Sequence, residues 1–212
     1  MVNIDEINRH VYFTALEKSS VERHLYRIQF NGRAMERITK DDGVHKIGFS
    51  PNGNYYFDTY SNITTLPTLA LYDRNGVQLY VISKPRLELL EGLNIQTPKL
   101  FTIPTMDGFP MPAQILKPGN FNSNKNYPLI FHIYGGPSAP TVYNRWQGTS
   151  LFFDNMLLER GYLVVRFDHR YATAISKKLE NRLTLMVSGP TEIVDIVDGV
   201  RWLQSQTYVD ST

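Results

Sequence analysis

The chain has 212 residues, of which 42% are hydrophobic and 20% are charged, with a formal net charge of +2 and no cysteine. This apolar content is enough for a folded core, and the lack of cysteine excludes a disulfide scaffold, a Cys-ligated metal site and a Cys nucleophile. The charges are scattered, so neither nucleic acid nor an anionic membrane is indicated as a partner. No apolar run reaches 18 residues and none follows a basic start, so no membrane segment or signal peptide is visible.

Residues 1–97 have the pattern of short antiparallel strands. Runs rich in Tyr, Val, Ile, Phe and Thr alternate with turn residues, at 10–16, 24–30, 44–49, 55–60, 68–72 and 76–83. Asn75-Gly76 predicts a hairpin with a type I′ turn, because this pair accepts positive φ angles. Strands this short and evenly spaced predict a propeller, a sandwich or a barrel, and the spacing does not choose among them. A short helix is expected at 86–93.

The second half alternates strands with helices. The predicted strands lie at 99–104, 111–116, 127–134 and 162–167, and the predicted helices at 150–160 and from Ser188 onward. The apolar run at 127–134 is typical of a strand buried on both faces, and Ser150 is the expected cap of the first helix. The last helix has an apolar stripe at Ile193, Val197, Val200 and Leu203. This alternation predicts an α/β layer with a parallel sheet, and 84–98 is the predicted boundary.

Tyr134-Gly135-Gly136-Pro137, at the end of the apolar strand, is the sharpest local feature. Its glycines allow backbone N–H groups to approach a ligand. In α/β-hydrolases the loop after the third strand supplies part of the oxyanion hole. A tight turn leaving a strand is the alternative interpretation.

Several short motifs follow one another in a single order along nearly the whole chain. They are Arg23-His24-Leu25-Tyr26, Phe49-Ser50-Pro51-Asn52-Gly53-Asn54-Tyr55-Tyr56, Tyr60-Ser61-Asn62, Leu71-Tyr72-Asp73-Arg74-Asn75-Gly76, Ile115-Leu116-Lys117-Pro118, Tyr127-Pro128, Tyr134-Gly135-Gly136-Pro137, Gly161-Tyr162-Leu163-Val164-Val165 and Tyr208-Val209-Asp210. Together they resemble the dipeptidyl peptidase IV-like enzymes of the prolyl oligopeptidase family.

The resemblance implies a fold and a function. Residues 1–97 would be C-terminal strands of a β-propeller, and residues 98–212 the N-terminal half of an α/β-hydrolase domain that ends before the nucleophile elbow. The implied parent is a serine exopeptidase that releases N-terminal dipeptides from peptide substrates by acyl transfer, without a cofactor. A non-catalytic binding module and a related acylaminoacyl peptidase are the alternatives. A homodimeric parent is left open, as is the compartment: periplasmic or extracellular if an upstream signal has been lost, cytoplasmic otherwise.

The resemblance assigns one catalytic role, in which the Tyr134 hydroxyl donates a hydrogen bond to the tetrahedral oxyanion. No Gly-x-Ser-x-Gly motif occurs. The nearest match is centred on Ser138 and has Pro140 in place of the second glycine, so Ser138 is not expected to be the nucleophile. In the family the serine elbow follows the stretch that matches Tyr208-Val209-Asp210, so the resemblance and the order Ser, Asp, His imply that the whole triad lies beyond Thr212. The 212 residues alone are therefore expected to be inactive, and an unpaired strand edge at 127–134 predicts self-association.

Two further sets of residues invite a chemical interpretation. His169 could serve as a base, but a loop histidine after a strand is the favoured interpretation. Glu192, Asp195 and Asp198 are spaced three apart on the last helix. A solvated acidic face, with Glu192 near the positive helix N-terminus, is favoured over a metal site.

Overall fold

The computed structural model describes residues 2–136, 139–172, 177–180 and 190–211. The chain divides into two compact units: Met1–Gly92 with Tyr143–Trp146, and Leu93–Val142 with Gln147–Thr212. Nothing in the sequence indicates that Tyr143–Trp146 belong to the first unit. Within the described ranges, no helix has both the length and the apolar character needed to cross a membrane.

The first unit contains two four-stranded antiparallel sheets, each with its strands in chain order. One sheet consists of β1 (Asn3–Asp5), β2 (His10–Ala15), β3 (His24–Gln29) and β4 (Glu36–Arg37), and the other of β5 (Val44–Phe49), β6 (Tyr55–Ser61), β7 (Thr68–Asp73) and β8 (Gln78–Ser83). Up-and-down four-stranded sheets are the building blocks of propellers. The predicted antiparallel β class is confirmed for this unit, although β1 and β4 carry no clear sequence signal.

Aromatic side chains form the centre of this unit. Tyr12, Leu25, Ile38 and Tyr56 make one buried cluster, and the Tyr56 ring stacks on Tyr72 at 5.2 Å. The hairpin between β7 and β8 is present, with the Gly76 N–H donating to the Asp73 carbonyl at 3.0 Å. Only Gly76 of the Asn-Gly pair has a positive φ, at 90°. The predicted type I′ turn, which needs two such residues, is therefore wrong.

The second unit is built on a mixed sheet of order β11-β12-β10-β9. Its strands are β9 (Lys99–Pro104), β10 (Pro110–Leu116), β11 (Leu129–His132) and β12 (Leu163–Phe167). β11 and β12 pair in parallel, as the alternation of strands and helices predicts, while β10 is antiparallel to both of its neighbours, so the sheet is mixed. Leu163, Val164 and Val165 are completely buried and form the middle of the sheet.

β11 differs from its prediction in length and in burial. It covers only Leu129–His132, and all four of its residues are half-buried. The prediction of a strand buried on both faces over 127–134 is wrong, because β11 lies at the edge of the described sheet. Tyr127 instead forms an isolated parallel bridge with Val209.

The helix predicted at 150–160 begins and ends within one residue of that range, whereas the helix Lys177–Glu180 was not predicted. A 3-10 helix (Leu87–Leu90) replaces the predicted helix at 86–93, and the α-helices are α1 (Thr149–Glu159), α2 (Lys177–Glu180) and α3 (Pro190–Gln204). Gly148, with φ of 60° and no side-chain cap, precedes α1, so the assignment of Ser150 as its cap is wrong. Ser188 and Gly189, the predicted start of the last helix, lie outside the described residues.

α3 turns a different face inward from the one predicted. Glu192, Asp195 and Asp198 are buried, so the prediction of a solvated acidic face is wrong. Of the predicted apolar stripe, Leu203 is buried whereas Ile193 is 59% exposed. The acidic face is buried because Asp195 and Asp198 have hydrogen-bond partners inside the unit.

Candidate active site

Tyr134 lies two residues beyond the carboxyl end of β11. In sheets with parallel strands, this end is where ligands bind, because the loops there are free to vary. The Tyr134 side chain is 68% exposed, so its hydroxyl is presented to solvent and not used in the core. A catalytic donor needs this accessibility. The oxyanion role itself stays a prediction.

The two glycines after Tyr134 are needed for different reasons. Gly135 has a φ of 75°, a backbone conformation that costs an L-residue roughly 1–2 kcal/mol. Gly136 has no such φ, but a Cβ there would lie 2.4 Å from Cε1 of the Tyr134 ring. The ring therefore folds back over its own turn. Of the rest of this motif, Pro137 and Ser138, the weak nucleophile candidate, lie outside the described residues.

Asp168 lies beyond the end of β12 and binds the chain segment that returns from the Tyr134 turn. Its carboxylate accepts hydrogen bonds from the Thr141 backbone N–H at 2.8 Å, the Thr141 hydroxyl at 2.7 Å and the Val142 N–H at 2.9 Å. Burial raises the pKa of Asp168, against the opposing effect of these bonds to the anion. Sequence reasoning did not single this residue out.

His169 lies in the loop after β12, as its position predicts, and its side chain is buried. It is 1% exposed, and neither ring nitrogen has a hydrogen-bond partner of normal geometry. Burial lowers the pKa of His169, opposed by the nearby carboxylates of Asp195, Glu192 and Asp168 and by the Gly135 backbone. Its ring therefore lies close to the Tyr134 turn.

Arg170 joins α3 to the turn after β9. Its Nε lies 2.9 Å from one carboxylate oxygen of Asp195, and its Nη1 and Nη2 donate to Asp107 at 2.8 and 2.7 Å. Asp198 accepts the Met106 N–H at 2.9 Å. These pairings explain why two of the three α3 carboxylates face inward. No group of ligands suited to a metal ion occurs among the described residues.

The first unit has a buried polar network of its own. The sequence did not predict it, because its histidines show no spacing typical of a ligand site. His24 lies 3.1 Å from Glu22, and His45 lies 2.6 Å from Asp58. The Asn144 side chain donates to Glu22 at 2.8 Å, which helps to explain why Tyr143–Trp146 belong to this unit. The network is structural in its contacts, since every polar partner comes from within the unit.

Comparison with known proteins covers both halves of the chain. The family model for the dipeptidyl peptidase IV N-terminal region matches residues 1–67. Human dipeptidyl peptidase 8 is 28% identical over 213 residues, which is 97% of this chain and 24% of that protein. A probable dipeptidyl-aminopeptidase B of Aspergillus clavatus is 31% identical over 176 residues, 79% of this chain and 19% of that protein.

A solved structure gives the same result for the fold. The crystal structure of Porphyromonas gingivalis dipeptidyl peptidase 4 superposes with a TM-score of 0.89 at 24% identity, over 99% of this chain and 29% of that chain. The chain spans about a quarter of the length of the curated relatives it matches. Together, these comparisons show that the chain belongs to the dipeptidyl peptidase IV-like branch of the prolyl oligopeptidase family.

Proposed function

We propose that this chain is part of a serine-type exopeptidase that releases N-terminal dipeptides from peptides. The observation that carries the proposal is the alignment of nearly the whole chain with proteins named dipeptidyl peptidases. The activity belongs to the full-length protein, because a propeller segment and part of a hydrolase sheet provide only some of the groups that the reaction needs.

Within this proposal, residues 98–212 form the first part of an α/β-hydrolase domain. Support comes from the parallel pair β11–β12, which is joined by α1 as in a strand–helix–strand unit. Residues 1–97 would supply the last strands of the propeller. The described sheet ends at β11, next to which a hydrolase would add the strand that leads to its nucleophile.

Tyr134 would act on the negative charge that develops during acyl transfer. Attack of a serine oxygen on the scissile carbonyl breaks its π bond and leaves an oxyanion. A phenol fixed near that position stabilises the tetrahedral species, and one such donor is worth roughly 3–4 kcal/mol. The nucleophile, its histidine base and the acid that orients the base would come from outside these 212 residues, among which no Gly-x-Ser-x-Gly occurs.

The test is steady-state kinetics of the full-length protein on a chromogenic X-Pro substrate with a free N-terminus. Tyr134→Phe removes only the donor hydroxyl and should lower kcat by about 10²–10³-fold. Tyr162→Phe, a matched loss of a hydroxyl elsewhere in the unit, should leave kcat unchanged. An unaltered kcat in Tyr134→Phe would rule out the assigned role.

The choice of substrate separates the alternatives. Turnover that requires a free N-terminus supports the dipeptidyl peptidase, whereas turnover of the N-acetylated analogue instead identifies an acylaminoacyl peptidase. A full-length protein that binds peptides and turns over neither is the non-catalytic module. The 212 residues alone should be inactive. Turnover by them that survives Ser138→Ala but is lost in Tyr134→Phe would reveal a nucleophile within the chain.

A further inference from the structure

The parallel pairing of β11 with β12 brings the residues that follow the two strands to the same end of the sheet. The last paired residues are His132 and Arg166, and each strand is followed two residues later by Tyr134 or Asp168. The Gly135 backbone lies close enough to the His169 ring to raise its pKa against the effect of burial. Tyr134-Gly135 and Asp168-His169 therefore leave the sheet at the same end.

Asp168 then binds the chain that follows the Tyr134 turn. The Thr141 N–H lies 2.8 Å from one carboxylate oxygen and 3.0 Å from the other, and the Val142 N–H and Thr141 hydroxyl lie at 2.9 and 2.7 Å. Both oxygens are thus used, and the side chain is almost fully buried. Hydrogen bonds to an ionised acceptor are the strong ones, particularly away from water.

These contacts fix the backbone of a segment whose Val142 side chain is also buried. Tyr134 is exposed and its turn leaves an edge strand, so the core does not fix the position of the phenol. Thr141 and Val142 are seven and eight residues further along and are fastened to the strand next to β11. An anchored return segment limits how far the Tyr134 turn can move.

We propose that Asp168 is a positioning residue for the Tyr134 hydroxyl, acting through the backbone of Thr141 and Val142. This inference rests on the proposed function, because it assumes that the phenol stabilises the oxyanion. Asp168 would touch neither substrate nor reacting atoms. Its effect would be to keep the donor in place before the transition state forms, where a displacement of about 1 Å can cost on the order of 10²-fold in rate.

The experiment is a double-mutant cycle in the full-length protein with Asp168→Asn and Tyr134→Phe. An amide at position 168 has no charge and only one acceptor oxygen for donors that now share two, so the anchor is weakened with little change in volume. We expect kcat to fall about 10–100-fold with KM within about threefold. In the Tyr134→Phe background the further loss should be below about threefold, because residues that act through one group are non-additive.

Two further variants keep the test decisive. Asp198→Asn removes another buried carboxylate that holds a backbone N–H and should leave kcat per folded molecule unchanged. If Asp168→Asn does not fold, Thr141→Val removes only the hydroxyl bond and should show the same non-additivity at a smaller size. An unchanged kcat, or equal losses with and without the Tyr134 hydroxyl, would overturn the proposal.

Backbone hydrogen exchange separates failure of this inference from failure of the proposed function. If the wild-type protein has no peptidase activity, the proposed function falls, but the anchor can still be measured. Asp168→Asn should speed exchange at Thr141 and Val142 and leave it unchanged in the other strands. Asp198→Asn should instead speed exchange at Met106. Unchanged exchange at Thr141 and Val142 would show that Asp168 anchors nothing.

Discussion

The ring of Tyr134 lies over the α-carbon of Gly136, with Cε1 only 2.4 Å from where a Cβ would stand. The second glycine of this motif is therefore required by the position of the tyrosine ring and not by a strained backbone, since Gly135 alone of the two has a positive φ. This relationship links a residue without a side chain to the proposed oxyanion donor.

Gly136→Ala should consequently impair catalysis more than folding. The added methyl group must displace the Tyr134 ring, which is free to swing because it is exposed. We expect kcat of the full-length protein to fall by about tenfold or more, with little change in Tm. Gly135→Ala is the matched comparison and should lower stability by roughly 1–2 kcal/mol through its φ. A Gly136→Ala enzyme with wild-type kcat would contradict this view of the turn.

The two carboxylates that share Arg170 should differ greatly in their importance for stability. Asp195 is buried, and its removal leaves a guanidinium without its interior counter-ion, so Asp195→Asn should destabilise by about 3–5 kcal/mol. The Asp107 side chain is 62% exposed. Arg170 holds the pKa of Asp107 far below its usual range, but water screens the pair and the loss in Asp107→Asn should be small. Urea midpoints of the two variants measure the contrast, and equal shifts would refute it.

His24 and His45 should respond to pH in opposite directions. Burial opposes the His45 imidazolium, but Asp58 and the Asp41 carbonyl favour it more strongly, so the pKa of His45 is raised. Both acceptors suit a doubly protonated ring, at 2.6 and 2.9 Å. Burial lowers the pKa of His24 despite Glu22. The Thr39 hydroxyl accepts from the Leu25 N–H and can donate its own proton to a neutral His24 ring.

The sign of each effect follows from linkage. A raised pKa stabilises the fold fully below the unfolded value of about 6.5, and this contribution is lost as pH rises through the folded pKa. The loss of Tm caused by His45→Gln should thus be largest near pH 6 and shrink toward pH 9. A lowered pKa stabilises above the unfolded value, so the loss caused by His24→Gln should be largest near pH 8 and shrink as pH falls. Parallel pH profiles for the two variants would count against these assignments.

The 212-residue polypeptide made alone should self-associate. β6 and β8 expose large apolar side chains, including Phe57 and Leu79 at 49% each, and α3 exposes Ile193. Apolar surface of this kind, with an edge strand at β11, invites pairing between copies. Light scattering after size-exclusion chromatography should show oligomers, and Phe57→Asp should raise the monomer fraction. A monodisperse monomer that unfolds cooperatively would be evidence against this expectation.

Local patterns predicted the positions of most strands, because the alternation of side chains and the turn residues between them are properties of short segments. Val44–Phe49 and Lys99–Pro104 begin and end where the sequence indicates. The pairing of strands is not a local property. β10 looks like any apolar strand, yet it lies antiparallel to β12, and no pattern within either strand distinguishes the two directions.

The candidate site shows the same division. Tyr134 could be singled out from its glycines and from a family resemblance. Asp168 could not, since its importance depends on Thr141 and Val142, which are more than 20 residues away in the chain. Nor could the inward face of α3, because helical periodicity ranks apolar residues as inward-facing and takes no account of a half-buried arginine such as Arg170 that needs a carboxylate.

The order of strands in the sheets also determines when each sheet can form as the chain is synthesised. Each sheet of the first unit pairs neighbours in sequence, so its contacts can close as soon as the next strand has left the ribosome. The second unit cannot follow this route. Leu116 at the end of β10 finds its partner only when Val164 has emerged, and until then the buried side of β10 is open on one edge. The Lys117 side chain packs against the rings of Phe121 and Tyr208. Its contact with Tyr208 can form only after that residue has been synthesised, which is later than Val164.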